Sequence, residues 1–194
     1  MALPRSLCVF CGSSDRAAKS HRVAAARFGR ELGRKGIELV FGGGRVGLMG
    51  VIADSALTAG GRVVGVIPEH LIRAEVGHGK VSELIVTASM HERKAAMFQR
   101  ADAFVVLPGG PGTLDETFEI LTWRQLALHD KPVVICDLEG YWTPLTDLID
   151  HMIRRRYVRP SFRDFYAVVE RTQDVLPRLE SMPAARRPTR ADRV

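Results

Sequence analysis

The sequence predicts an α/β fold, a doubly wound parallel sheet with helices on both faces. Three features predict it. Short apolar runs of strand length alternate with longer segments of helical period through most of the 194 residues. Glycine-rich turns follow apolar runs, which gathers them at the carboxyl edge of the sheet, where open parallel sheets bind ligands. No repeat or linker interrupts the alternation, so residues 1–182 read as one domain, long enough to bury a sizeable core.

Ser6 to Phe10 reads as a short buried strand, and Cys11-Gly12-Ser13-Ser14 as its polar turn. Ser20 can cap a helix whose Val23, Ala24, Phe28 and Leu32 share a face, with Gly36 ending it. Ile37 to Phe41 is the second strand. Gly42, Gly44 and Gly47 then satisfy G-x-G-x-x-G between strand and helix. The acid that a dinucleotide site wants at the end of the next strand is out of place, because Glu69 lies past the strand behind Pro68. This turn therefore reads as close backbone packing or as a second wall of a nucleotide pocket. A helix from about Gly47 to Ala59 stops at Gly60-Gly61, and Arg62 to Ile67 is the third strand. Glu69 to Lys80 is irregular; Glu75 is its notable carboxylate, and His70 and His78 read as solvated.

Glu83 to Thr87 is strand-like, and Ser89-Met90-His91-Glu92 is a capping box for a helix from Met90 to Ala101. Arg93 and Lys94 flank its buried stripe of Met90, Met97 and Ala101. A cation beside such a stripe must snorkel or find an anion, which makes these two candidates for a phosphate or carboxylate partner.

Ala103 to Leu107 leads into Pro108-Gly109-Gly110-Pro111-Gly112-Thr113-Leu114-Asp115-Glu116, the stretch around which the chain is organised. Strand, glycine turn and helix aim free amides and a positive helix end at an anion. The three glycines let a phosphate approach where a Cβ would block it. The helical pattern runs from Thr117 to Leu128, with Glu116 in the first turn. There Glu116 either reaches a group beside a bound phosphate or closes a capping box with Thr113. Ile120, Leu121, Trp123, Leu126 and Leu128 are too many apolar residues for one face, and a partner subunit would cover the excess. Val133 to Cys136 and Tyr166 to Val169 are the last strands; Thr143 to Arg156 and Thr172 to Ser181 are the last helices.

Charge and cysteine usage narrow the function. Half of the net charge of +6 sits in residues 183–194, four arginines against one aspartate. The rest of the chain has no basic face, which argues against nucleic acid as a partner. That tail lacks apolar residues to pack and is expected to be disordered. Three cysteines and no secretory signal point to a reducing, cytoplasmic setting. Cys8 and Cys11 lie three apart around a strand and face opposite sides, so no metal or redox role is expected of them. No apolar run is long enough to span a bilayer.

Taken together, Cys11-Gly12-Ser13-Ser14, Phe41-Gly42-Gly43-Gly44 with Gly47-Leu48-Met49-Gly50, Met90-His91-Glu92-Arg93-Lys94 and Pro108 to Glu116 resemble the LONELY GUY proteins, in order and spacing, over roughly Leu7 to Arg171. The pair M-H-x-R-K and P-G-G-x-G-T-x-x-E is the specific part. That family consists of cytokinin riboside 5′-monophosphate phosphoribohydrolases, often mislabelled lysine decarboxylases. The resemblance implies a Rossmann-like fold, a homodimer and no cofactor. It implies hydrolysis of the N-glycosidic bond of adenosine 5′-monophosphates, N6-modified ones included, to free base and ribose 5-phosphate. It implies Arg93 and Glu116 as the catalytic pair. Substrate contacts fall on Glu75, Arg93, Lys94, Gly110, Pro111, Gly112, Thr113, Leu114, Asp115, Glu116 and Thr122. Pro111 stands where Tyr or Val is frequent and removes one N–H donor; Asp115 stands where Glu is frequent. The alternative is a carrier: molybdenum-cofactor carrier proteins share the fold and hold a phosphorylated pterin without turnover. The presence of both Arg93 and Glu116 favours the enzyme.

Overall fold

The computed structural model describes residues 3–72 and 77–182. Its seven strands are β1 (Ser6–Phe10), β2 (Glu38–Phe41), β3 (Val63–Pro68), β4 (Glu83–Thr87), β5 (Ala103–Val106), β6 (Val133–Cys136) and β7 (Ala167–Val169). They form one sheet in the order β4-β3-β2-β1-β5-β6-β7, every pair parallel. The chain winds outward from β1 to β4, returns to the centre, and winds outward again from β5 to β7. The strand order reverses between β1 and β5, and such a switch point opens a crevice at the carboxyl ends of the two strands. The predicted doubly wound sheet is the one observed.

The strands form because Val, Ile, Leu and Phe run continuously through them, as strands covered on both faces require. Alternate residues of β1 feed two cores. Leu7 and Val9 pack with Phe28 and Leu32 of α1 (Lys19–Arg34), Ile52 of α2 (Gly47–Thr58) and Leu179 of α6 (Val175–Ser181). Cys8 and Phe10 pack on the opposite face with Met97 of α3 (Met90–Arg100), Leu121 of α4 (Pro111–Gln125) and Ile149 of α5 (Thr143–Arg154). At the edge, β4 keeps Leu84 and Val86 exposed. Gly29 and Gly33 sit inside α1 despite a helix-propensity cost of about 1 kcal/mol each. A Cβ on either would strike backbone carbonyls of α2, at Ile52 and Ala56 respectively, so these glycines set how closely the two helices approach.

At the amino edge of the sheet the charges neutralise one another. Arg62 and Arg100 both pair with Glu38 and Glu83, and hydrogen bonding from Arg100 holds the Glu38 carboxyl below its usual range.

Three local expectations are corrected. Ser20 does not cap α1: Ala18 is the N-cap, and the Ser20 hydroxyl, one residue inside the helix, donates to Glu139 instead (3.0 Å). The helix after the central glycines starts at Pro111, six residues earlier than expected, with Gly110 as N-cap. Proline suits that first position because its ring presets φ and its missing N–H is not needed there. Thr113 is therefore a helix-interior residue, the Thr113–Glu116 capping box does not form, and Glu116 lies in the second turn. Last, α6 starts at Val175, after a single 3-10 turn over Thr172–Asp174. The capping box of α3 does form in modified geometry: Ser89 Oγ accepts from the Glu92 N–H, while Glu92 reaches back to the Ala88 N–H. Glu75 and the tail 183–194 lie outside the described residues.

Candidate active site

The crevice between β1 and β5 is closed by backbone hydrogen bonds. The Gly12 N–H donates to the Pro108 carbonyl (2.9 Å), and the Leu48 N–H donates to the Gly12 carbonyl (2.9 Å). This brings three turns together: the one after β1, the first glycine turn after β2, and the central glycine turn after β5. They enclose a cleft of about 160 Å³ whose lining includes Ser13, Gly42, Met49, Arg93, Gly110 to Thr113 and Glu116.

Two features define the cleft. One is a buried ion pair. Arg93 Nη1 lies 3.3 Å from Glu116 Oε1, and both residues are less than one-tenth exposed. Removing either partner of such a pair costs about 3–5 kcal/mol, because the other charge is left buried. Arg93 reaches it from α3 and is held by backbone oxygens: its Nε donates to the Val66 carbonyl (3.1 Å) and its Nη2 to that of Gly42 (3.4 Å). A Cβ on Gly42 would collide with the guanidinium, so the glycine makes the room that Arg93 occupies.

The other feature is the amino end of α4. Pro111 has no N–H, and the Leu114 N–H is used by the Gly110 carbonyl (3.1 Å). The amides of Gly110, Gly112 and Thr113 stand at the positive end of the helix dipole without helical acceptors. Apart from its chain neighbours and the nearby backbone of α4, a Cβ on Gly110 or on Gly112 would meet nothing within 4 Å, and neither residue has positive φ. Packing and backbone conformation leave both positions open to other residues. What the glycines keep open is the space in front of the amides, the shape of an anion cradle.

The expected site residues divide. Arg93, Glu116, Gly110, Pro111, Gly112 and Thr113 converge on the cleft. Lys94 does not line it. Its ammonium bridges Asp115 and Glu119 of α4, at 3.1 Å from each. Burial acts to lower its pKa, but the hydrogen bonds and charges of Asp115 and Glu119 together outweigh it and raise the group above its usual range. Leu114, Asp115 and Thr122 line a separate groove on the outer face of α4, with Phe118 and Trp123, and Pro111 borders both spaces. His78 is not solvated. It is fully buried, its Nε2 lies 3.1 Å from Asp54, and its N–H donates to the Gly43 carbonyl. His70 is exposed as expected.

Ser13, Met49 and Cys11 line the cleft without having been singled out for it; the turn after a central strand was the available signal. Burial, reinforced by the nearby Glu116 carboxylate, raises the Cys8 and Cys11 thiols well above their usual range, and Cys136 is pushed up to about 12, so all three remain neutral. Among the described residues no three His, Cys, Asp or Glu side chains are grouped to hold a metal ion. No helix among them is long and apolar enough to cross a membrane.

Residues 49–179 match the model of a family described as possible lysine decarboxylase. The chain is 42% identical over 177 residues to a probable cytokinin riboside 5′-monophosphate phosphoribohydrolase of Oryza sativa subsp. japonica, covering 91% of this chain and 71% of that one. It is 40% identical over 185 residues to a cytokinin riboside 5′-monophosphate phosphoribohydrolase of Arabidopsis thaliana, covering 92% of this chain and 87% of that one. The chain belongs to the LONELY GUY family. Solved structures share the architecture of this LONELY GUY chain at lower identity. The molybdenum cofactor binding protein of Rippkaea orientalis superposes with a TM-score of 0.70 at 20% identity, covering 93% of this chain and 98% of that one. The molybdenum cofactor carrier protein of Chlamydomonas reinhardtii superposes with a TM-score of 0.66 at 20% identity, covering 90% and 95%. Those two likenesses establish the Rossmann-like fold of the LONELY GUY chain and nothing about its ligand.

Proposed function

We propose that the chain hydrolyses the N-glycosidic bond of adenosine 5′-monophosphates, N6-modified ones included, releasing the free base and ribose 5-phosphate. The names of its relatives support this reading, and one observation carries it: a buried carboxylate and an open anion cradle share one small cleft. The amides of Gly110, Gly112 and Thr113 bind the 5′-phosphate. Thr113 and Glu116 are three residues apart on α4, so the Glu116 backbone stands about one helical turn deeper than the amides, roughly 5 Å. That offset suits the distance from a phosphate to the anomeric carbon of the same ribose.

Breaking the bond from ribose to nitrogen builds positive charge on the sugar, as in glycoside hydrolysis. Glu116 stabilises that charge and orients or deprotonates the attacking water. Arg93, fixed by the Val66 and Gly42 carbonyls, holds Glu116 in place. Neutral Cys11 adds no competing charge. Anchoring the phosphate makes the attack effectively unimolecular.

The cleft is smaller than the about 300–1,000 Å³ typical of whole small-molecule sites. The base therefore extends past its rim, over Pro111 toward the groove that carries Leu114, Asp115 and Thr122. This supports Thr122 as a contact to the base and leaves Lys94 to orient Asp115. The groove, together with Leu126 and Leu128, about 60% exposed, supports a homodimer in which a second copy covers this face of α4.

The test is direct. Glu116→Gln is expected to lower kcat for AMP by about 10³-fold and, because it leaves the Arg93 charge buried without its partner, to lower the melting temperature by several degrees with the fold intact by circular dichroism; Arg93→Lys is expected to follow it in direction. Release of free base is followed by chromatography. A Glu116→Gln protein that turns over at the wild-type rate overturns the assignment; a wild type that binds AMP without releasing adenine favours a carrier. Relative kcat/KM for AMP and an N6-prenylated counterpart separates an AMP nucleosidase from a cytokinin-releasing enzyme.

A further inference from the structure

The central glycine turn has a support from a distant loop. Tyr141 follows β6, and its hydroxyl donates to the carbonyl of Gly109 at 2.7 Å. The loop that presents it is held by its own hydrogen bonds. The Asp137 carboxylate accepts from the Trp142 N–H and, at 2.9 Å, from the Thr143 hydroxyl. The Tyr141 ring packs edge-on against His21 of α1 and against Trp142, with centroids 5.7 and 4.9 Å away. His21 is itself held near Glu139 at 3.5 Å. The hydroxyl is thus delivered to one place by a fixed ring, although 44% of the residue is exposed.

What that bond orients is a peptide plane. In a trans peptide the carbonyl of one residue and the N–H of the next point in opposite directions. Holding the Gly109 oxygen toward Tyr141 therefore turns the Gly110 N–H the other way. Gly110 lines the cleft, whereas Gly109 and Tyr141 do not. A Gly-Gly peptide is the least restrained in the turn, since neither residue has a Cβ to resist rotation. Rotated, it would aim a carbonyl dipole at the anion instead of an amide.

We propose that Tyr141 is a positioning residue for phosphate: its hydroxyl locks the Gly109–Gly110 peptide with the amide facing the 5′-phosphate of the substrate. This rests on the nucleotide reading of the cleft and extends it to a residue outside the cleft. It makes a prediction that a packing role does not, because the loss is confined to ligands that carry the phosphate.

The experiment is calorimetric titration of the wild type, Tyr141→Phe and Tyr141→Ala with ribose 5-phosphate and with adenosine, alongside steady-state kinetics with AMP. Tyr141→Phe keeps the ring and removes only the donor. Its dissociation constant for ribose 5-phosphate and its KM for AMP are expected to rise about tenfold, the weight of one hydrogen bond to a bound ligand. Its affinity for adenosine is expected to change less than about twofold. Unchanged ribose 5-phosphate binding in Tyr141→Phe overturns the proposal, as does an equal loss for adenosine. Weakening in Tyr141→Ala alone also overturns it, since the ring and not the hydroxyl would then matter. A wild type that binds ribose 5-phosphate but leaves AMP intact removes the hydrolase reading only, because binding is measured without turnover. A wild type that does not bind ribose 5-phosphate overturns both.

Discussion

Two glycine turns meet in this cleft, and they do different work. Gly42 to Gly50 follows β2; Gly109 to Gly112 follows β5. Both are strand, glycines, helix. In the first, protein atoms occupy the space of the missing side chains at Gly42, Gly43, Gly47 and Gly50. A Cβ on Gly42 would strike Arg93, one on Gly50 the Arg45 carbonyl, and one on Gly47 would lie 2.5 Å from the Ser13 carbonyl carbon. In the second, Gly109 is filled by Thr113, but Gly110 and Gly112 face open space. The first turn uses glycine to bring parts of the chain together, the second to keep them apart. A glycine spacing cannot separate these uses. What stands at the absent Cβ does.

Substitution at Gly42 should break the comparison most strongly. Gly42→Ala places a methyl where the guanidinium lies, and Arg93 must leave the Val66 and Gly42 carbonyls or rotate away from Glu116. Displacement of a catalytic group by about 1 Å costs about 10²-fold in rate. A fall in kcat of that order is expected, with the protein still folded by circular dichroism. Wild-type kcat in Gly42→Ala would show that the guanidinium tolerates displacement and that its held geometry is incidental.

Gly112→Ala sharpens the same contrast from the other side, with a smaller effect. Gly112 lies in the first turn of α4, and beyond its own neighbours and the helix backbone nothing lies within 4 Å of its missing Cβ. Alanine is the better helix former by about 1 kcal/mol, so a melting temperature equal to or a few degrees above wild type is expected. The methyl would nonetheless enter the space in front of the amides, and KM for AMP should rise about tenfold. Stability and affinity moving in opposite directions is the signature of a glycine kept for a ligand. A variant that loses stability and keeps its KM would mean that the space is structural.

This contrast also marks what the amino-acid sequence could reveal. The strands were legible because each is an uninterrupted apolar run between turns, and the sheet followed from their alternation with helices. The start of α4 was not, since Thr113-x-x-Glu116 imitates a capping box while the working signal is Gly110-Pro111 just before it. His78 is buried with its ring against Asp54, 24 residues earlier, and the Tyr141 hydroxyl reaches a carbonyl 32 residues away. No local pattern encodes either contact. Local pattern marked Arg93 as a candidate for an anion partner and Glu116 as able to reach a group beside a bound phosphate, and only the family resemblance joined them as a catalytic pair. That they meet follows from α3 and α4 covering the same face of the sheet on either side of β5 in the chain.

The smallest expected effect controls the others, because pH profiles of the glycine variants are interpretable only if the fold itself does not titrate in the same range. His129, just past α4, is a group that does. Its Nε2–H donates to the Ile120 carbonyl (2.8 Å) and its Nδ1 accepts from the Lys131 N–H (3.1 Å), an arrangement only the neutral ring can satisfy. Burial among Phe98 and Phe104 lowers its pKa below the usual 6.5. The bond to Ile120 opposes the shift, Arg124 and Lys131 add to it, and Asp130 works against it. The folded pKa thus lies below the unfolded one, so the stabilisation is complete above about pH 6.5 and is lost as pH falls through the folded value. Melting temperature should decline from pH 7 toward pH 5 in the wild type and in Gly112→Ala alike. The slope should flatten in His129→Gln, whose amide can donate and accept without gaining charge. If the slope is unchanged in His129→Gln, another group carries the acid sensitivity. Activity lost between pH 7 and pH 5 then has to be apportioned between cleft and fold by measuring both at each pH.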